Sequence, residues 1–141
     1  WSYQYARRQW SLLANPDLRY RFLAAFDRSM IDLVKRFKLF SQGFGDQLNM
    51  DEANQTIIFR RKGLIFLFNF HTSSSIPDYT FPVPDPGDYR IILNSDSPDF
   101  GGHGRVDDSL LYTTRFDPEQ GSHRLMVYNT NRTALVFERA G

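Results

Sequence analysis

Reactive side chains are concentrated between Ser95 and Asp108, where SDSPDFGGHGRVDD brings together four aspartates, a histidine, an arginine and three glycines. Three chemistries could use such a set. Asp96, Asp99, Asp107 and His103 could offer oxygen and nitrogen ligands to a metal ion. His103 could act as a general base towards Ser95, Ser97 or Ser109. The GGHG cluster could cradle a phosphate.

Each of these fails on spacing. The acids and the histidine match neither HxxxH nor an EF-hand loop, which needs acids at alternate positions and a closing Glu. No serine sits in a GxSxG elbow. GGHG does not directly follow an apolar strand, and no Gly-rich loop with Lys and Ser/Thr leads into a helix. Ser, Asp and Gly are instead the residues of turns, because Asx side chains bond the backbone and Gly accepts positive φ. The expectation is a turn with no metal and no catalytic residue. His71 and His123 stand alone beside strands and are expected to be structural or at the surface.

Aromatic side chains offer a different chemistry, stacking on the flat apolar face of a sugar ring. Trp1, Tyr3, Tyr5 and Trp10 could do this, although aromatics on a helix face more often belong to a core. Asn54 (NQT) and Asn131 (NRT) head short sequons, a pattern too common to establish glycosylation.

The elements that must position these groups fall into two parts. YQYARRQWSLL (3–13) has Tyr3, Ala6, Trp10 and Leu13 on one helical face. Asn15, Pro16 and Asp17 predict a fresh helix start, as cap, first residue and dipole partner. Leu18, Phe22, Phe26, Met30, Leu33 and Phe37 then recur at spacings of three and four, giving an amphipathic helix over 15–38. Residues 41–55, with two glycines and many polar side chains, read as a loop or boundary. From there the chain is strand-like. TIIFRR and LIFLFNF flank Lys62-Gly63, a good hairpin turn, and the second of these strands is apolar in both alternating sets, hence buried on both faces. YTFPV, DYRIILN, HRLMVYN and TALVFER follow, separated by turn residues, with no later helix. The pattern predicts a mainly β chain: helices over 1–40, a boundary over 41–55 and an all-β antiparallel sandwich over 56–141.

Composition agrees with one domain, or one domain carrying an appendage. Of 141 residues, 41% are hydrophobic and 16% aromatic, ample for a core and too many for a disordered chain. The absence of cysteine excludes disulfides, thiolate zinc sites and cysteine nucleophiles, and is compatible with a reducing cytoplasm. The longest apolar run, GLIFLFNF, is far short of the roughly 18 residues a membrane span needs. The amino terminus lacks the features of a signal peptide. Residues 1–40 carry eight Lys/Arg against three Asp, a net +5, and the remainder nine against thirteen acids, a net −4. The arginines are spread around the helices rather than aligned in a stripe, so neither nucleic acid nor membrane is expected as a partner. Two lone helices make a poor domain. With a chain that opens on WSYQYARRQW and not on Met, they suggest the tail of a larger protein.

Five strings in order, YARRQW, LRYRFLAAFDRSM, GLIFLFNFH, YRIILNSDSPDFGGHGRVD and RTALVF, cover nearly the whole chain. Together they resemble the carboxyl-terminal region of 1,4-alpha-glucan (glycogen) branching enzymes of the alpha-amylase superfamily. Gln4 and Asp108 depart from the usual residues of those strings. The resemblance implies that residues 1 to about 40 are the last helices of a (β/α)8 barrel and that the rest is the amylase-type β domain. Family activity, cleavage of alpha-1,4 links and transfer to a 6-hydroxyl in glycogen biosynthesis, uses paired carboxylates on the barrel. The strings that carry those carboxylates are not in this chain, so no catalytic residue and no cofactor is carried over.

The implied role is therefore accessory: a cytoplasmic piece, inactive alone, that supports the barrel and contacts alpha-glucan. Trp1, Tyr3, Phe100, His103 and Arg105 are the candidate glucan-binding residues. The rival expectation is a free-standing carbohydrate-binding module using the same aromatics and the DFGGHGR loop. A metal-dependent enzyme centred on His103 ranks below both.

Overall fold

The computed structural model describes residues 9–141. It contains a one-turn helix α1 (Ser11–Ala14), a long helix α2 (Tyr20–Phe37) and nine strands. The strands are β1 (Asp46–Asp51), β2 (Thr56–Arg61), β3 (Leu64–Asn69), β4 (Ile76–Val83), β5 (Asp88–Asn94), β6 (Leu111–Thr113), β7 (Arg115–Asp117), β8 (Ser122–Asn129) and β9 (Thr133–Arg139). Six form one antiparallel sheet in the order β1-β2-β3-β9-β5-β6, and three form a second in the order β4-β8-β7. This is the mainly β, two-sheet architecture that the strand pattern predicts.

Two cores give the molecule three layers. Ile58, Ile65, Leu67, Phe81, Leu125, Leu135 and Phe137 pack between the sheets. On the other face of the large sheet, Leu64, Phe66, Leu93 and Val136 meet Phe26, Leu33, Val34 and Phe37 of α2 and the buried Leu39 beyond it. β3 is thus buried on both faces, Ile65 and Leu67 turned to one core and Leu64 and Phe66 to the other. β5 reaches both cores by a different device. Its register against β9 slips between Ile91 and Leu93, so Ile91 opposes Phe137 in the sandwich while Leu93 opposes Val136 under the helix. Phe59 and Phe68 add to the helix side, with Phe59 stacked on Phe66 at 4.9 Å and on Phe68 at 5.9 Å.

The hairpin at Lys62-Gly63 forms as expected, with φ of 52° and 78°, the pair of left-handed residues that matches strand twist. Two other expectations need correction. Residues 41–55 are not all loop: Asp46–Asp51 is an edge strand paired with β2, polar because only Leu48 packs towards the core. Nor does the second helix start at Asn15. The Asn15 carboxamide oxygen accepts the Asp17 amide at 2.9 Å, a turn rather than a cap, and α2 begins at Tyr20 without a side-chain cap. Its far end is closed by Lys38 at φ 49°, with the Leu39 amide donating to the Val34 carbonyl at 3.1 Å. Arg61 Nε then donates to the Leu39 carbonyl at 2.5 Å, tying that helix end to the β2–β3 hairpin. Of the first expected helix, only its last residues lie among those described.

Candidate functional site

The Ser95–Asp108 loop leaves the end of β5 and is built around one carboxylate. Asn94 starts it, accepting the Asp96 amide on Oδ1 at 2.9 Å. Ser97 then caps a short 3-10 turn (Pro98–Phe100), its hydroxyl accepting the Asp99 amide at 3.3 Å. Gly101, at φ 75°, closes that turn beneath the Phe22 ring. Gly102 runs so close to the Asp96 backbone that a Cβ there would overlap it. The chain doubles back, and the Gly104 amide donates to the Asp96 carbonyl at 2.7 Å.

Asp96 is 5% exposed and its two oxygens take four donors. Oδ1 accepts the His103 amide at 3.2 Å and Arg105 Nη2 at 3.0 Å. Oδ2 accepts the Arg105 amide at 2.9 Å and Arg105 Nε at 3.1 Å. Burial pushes this acid's pKa upward, but the guanidinium and the two amides outweigh it and hold the carboxyl below the usual range. The Asp96 hydrogen bond in turn raises the pKa of Arg105. The rest of the guanidinium points to the β8–β9 turn, where Nη1 donates to Asn131 Oδ1 at 2.6 Å and Nη2 to the Asn131 carbonyl at 3.2 Å. Asn131 is itself pinned, with Nδ2 donating to the Thr72 carbonyl at 3.0 Å and its amide donating to the Ser75 hydroxyl at 3.0 Å. Three separate segments are thereby joined through one fork-shaped ion pair.

The remaining acids serve their own turns. Asp107 Oδ1 accepts the Ser109 amide at 2.9 Å and its hydroxyl at 2.6 Å, and these bonds lower the Asp107 pKa. Asp108 takes the Asn94 side-chain amide at 3.4 Å. Among the described residues, no three His, Asp or Glu side chains are grouped so as to hold a metal ion. Of the candidate sugar contacts, Phe100 lies half-buried with its ring edge-to-face with Phe26 of α2 at 5.3 Å. Arg105 is committed to Asp96 and Asn131, and His103 is exposed. Trp1 and Tyr3 lie outside the described residues. Asn131, which the sequon pattern had flagged for a different reason, is the member of this network that sequence reasoning missed. Of the other histidines, His71 Nδ1 accepts the Ser74 amide at 2.8 Å and so shapes the turn after β3.

What the fold and the loop define is an antiparallel two-sheet domain with a helix across its outer face and a polar loop committed to internal structure. Residues 48–140 match the family model described as "Alpha amylase, C-terminal all-beta domain", and the chain belongs to that family. It is also similar to proteins named 1,4-alpha-glucan-branching enzyme. It is 41% identical over 140 residues to that of Eremothecium gossypii, covering 98% of this chain and 20% of the relative. With the Saccharomyces cerevisiae protein it shares 42% over 137 residues, 96% of this chain and 20% of the relative. The Solanum tuberosum protein is 43% identical over 106 residues, 75% of this chain and 12% of the relative. The chain therefore spans about a fifth of the length of the first two, and it matches the carboxyl-terminal region of such enzymes. Among the described residues no helix is long and apolar enough to cross a membrane.

Proposed function

We propose that this chain is the carboxyl-terminal accessory domain of a 1,4-alpha-glucan branching enzyme of glycogen biosynthesis, working in the cytoplasm. The cleavage of alpha-1,4 links and the transfer to a 6-hydroxyl belong to a catalytic portion outside it. One observation carries the supporting role: α2 is apolar on two sides. Its inner side is covered by the large sheet. On its outer side Leu23 is 68% exposed, Tyr20 52% and Ile31 43%, with Asp27 the charged residue among them, and Tyr20, Leu23, Ala24 and Asp27 border an open hollow beside α1. A stripe of this kind is costly in water and marks an interface. The occupant that fits is the catalytic portion making up the other four fifths of the matched relatives.

Replacing Leu23 and Ile31 together by Glu tests this directly. In the full-length protein the double variant should lower the unfolding temperature and the branching of amylose. In the 141-residue chain alone it should leave unfolding within about 0.5 kcal/mol of the parent, as for other surface changes. Unchanged stability and activity of the full-length variant would sink the supporting role. The isolated chain should show no branching of amylose, and measurable activity would overturn its accessory status.

The free-standing carbohydrate-binding module is less well supported. It needs the Ser95–Asp108 loop to present hydrogen-bonding groups and a ring, whereas Arg105 is used by Asp96 and Asn131 and Phe100 packs on Phe26. His103 is the member of that set whose side chain stands exposed for a glucan contact.

A further inference from the structure

The large sheet is open on its helix side at the rim where β3 ends and β9 begins. Ala134 puts only a methyl group opposite Phe68 in that strand pair. Space is therefore left between Phe68, the Phe70 ring beyond it and Phe26 of α2. The result is an open hollow of about 300 Å³, at the lower end of the roughly 300–1,000 Å³ typical of small-molecule sites. Arg132, the residue before β9, and Ser95, at the start of the loop after β5, stand at its edge.

The aromatic walls share one face of the sheet. Phe70 stacks on Phe68 with ring centroids 6.0 Å apart and planes 11° from parallel. Phe68 in turn packs in the helix-side core with Phe26. Phe59 and Phe66 continue the stack inward, and its outer end is the Phe70 ring, 65% exposed. A further flat ring laid against Phe70 extends a series already built.

The polar edge offers donors. Ser95 is fixed to Ala134 twice, its amide donating to the Ala134 carbonyl at 3.0 Å and its hydroxyl oxygen accepting the Ala134 amide at 2.8 Å. Neither bond uses the hydroxyl proton. Among the described residues no acceptor takes that proton, and no carboxylate pairs with the exposed Arg132 side chain. A guanidinium and a hydroxyl, both donating beside an aromatic wall, are what a carboxylate on a flat ring requires. Arg132 is also the only charged side chain among the described residues of the lining, so one negative charge is matched and a polyphosphate is not. Asn69, the amide that could read the edge of a heterocyclic base, is buried and bonded to the Asn129 carbonyl and the His71 amide.

We propose that this hollow binds an aromatic monocarboxylate, its ring against Phe70 and its carboxylate held by Arg132 and the Ser95 hydroxyl. The assignment stands on this geometry and is independent of the function proposed above.

Titration of the isotopically labelled 141-residue chain with 2-naphthoate, followed by amide chemical shifts, tests it. Saturable shifts centred on Phe70, Ser95 and Arg132 are expected, with a Kd on the order of 1 mM. Arg132→Gln and Phe70→Ala should each weaken binding about tenfold, as should exchanging the probe for uncharged 2-naphthylmethanol. Phe116→Ala removes an exposed ring of the small sheet and should leave affinity unchanged. No saturable binding, shifts centred elsewhere, or an equal loss in Phe116→Ala would overturn the site. Equal binding of 2-naphthylmethanol, of the saturated decalin-2-carboxylate or of inorganic phosphate would overturn it too.

Discussion

Removing the Asp96 carboxylate tests whether the loop's acids are there for structure. In Asp96→Ala the Arg105 guanidinium loses its bidentate partner and the His103 and Arg105 amides lose their acceptors. Breaking a buried ion pair from one side costs about 3–5 kcal/mol. Arg105 keeps its bonds to Asn131 and is 30% exposed, so water can reach part of it. The lower end, about 3 kcal/mol, is therefore the expected loss. For a domain of this size it lowers the unfolding temperature by about 10 °C. Urea unfolding of the chain at pH 7, followed by circular dichroism, measures it. The charge also has a pH signature. The folded pKa of Asp96 lies below its ordinary value of 3.8. Its stabilisation is therefore fully present above that value and is lost as pH falls through the folded pKa. Wild type should weaken steeply below about pH 4, and Asp96→Asn, already weaker at pH 7, should show a shallower decline. A loss below about 1 kcal/mol for Asp96→Ala, or an unchanged acid limb in Asp96→Asn, would refute the structural assignment.

Two further substitutions probe other parts of the same framework. Tyr79 is pushed up to about 12 by burial, by its 3.0 Å hydrogen bond to Asp51 and by that carboxylate's charge. The stability tied to its neutral form should hold up to about pH 10 and fade towards pH 12, and ultraviolet titration should find Tyr79 among the late-ionising tyrosines, with Tyr89 and Tyr112, which burial also pushes up. Tyr79→Phe should remove one tyrosine from that late ionisation and cost about 1 kcal/mol in urea unfolding at pH 7. Gly102→Ala sets a Cβ against the Asp96 backbone, which cannot move without releasing the Arg105 pair. A loss of at least about 2 kcal/mol is expected, whereas Gly63→Ala, with nothing within 4 Å, should cost only its backbone strain at φ 78°.

How far the sequence speaks for the structure depends on whether each signal is local. The double burial of β3 is legible because every residue of LIFLF is apolar, and the hairpin before it because Lys62-Gly63 is a turn in its own right. β1 is hidden because an edge strand needs few apolar residues: DQLNMD pairs through its backbone and sends only Leu48 inward. Asn15-Pro16-Asp17 misleads for the opposite reason, since the same three residues serve equally well as a cap and as an isolated Asx turn. The face that Leu93 takes is set by a one-residue slip against β9, which no periodicity along β5 reveals.

The loop shows the same limit in chemical terms. Its composition identifies a turn, but whether a carboxylate is available for chemistry depends on how many donors it already meets. Asp96 meets four, two of them amides seven and nine residues ahead in the chain, and a carboxylate so occupied has little capacity left to accept a proton or bind a metal. The far end of the network, Asn131, stands 26 residues beyond Arg105 and carries no sequence mark except a sequon pointing to other chemistry. Phe100 makes the case most sharply. Within DFGGHGR it reads as an exposed ring for a sugar, and only the passage of α2 over the loop turns it into a contact for Phe26. Sequence ranks side chains by what they are capable of; which of them remain free to do it is settled by what packs against them.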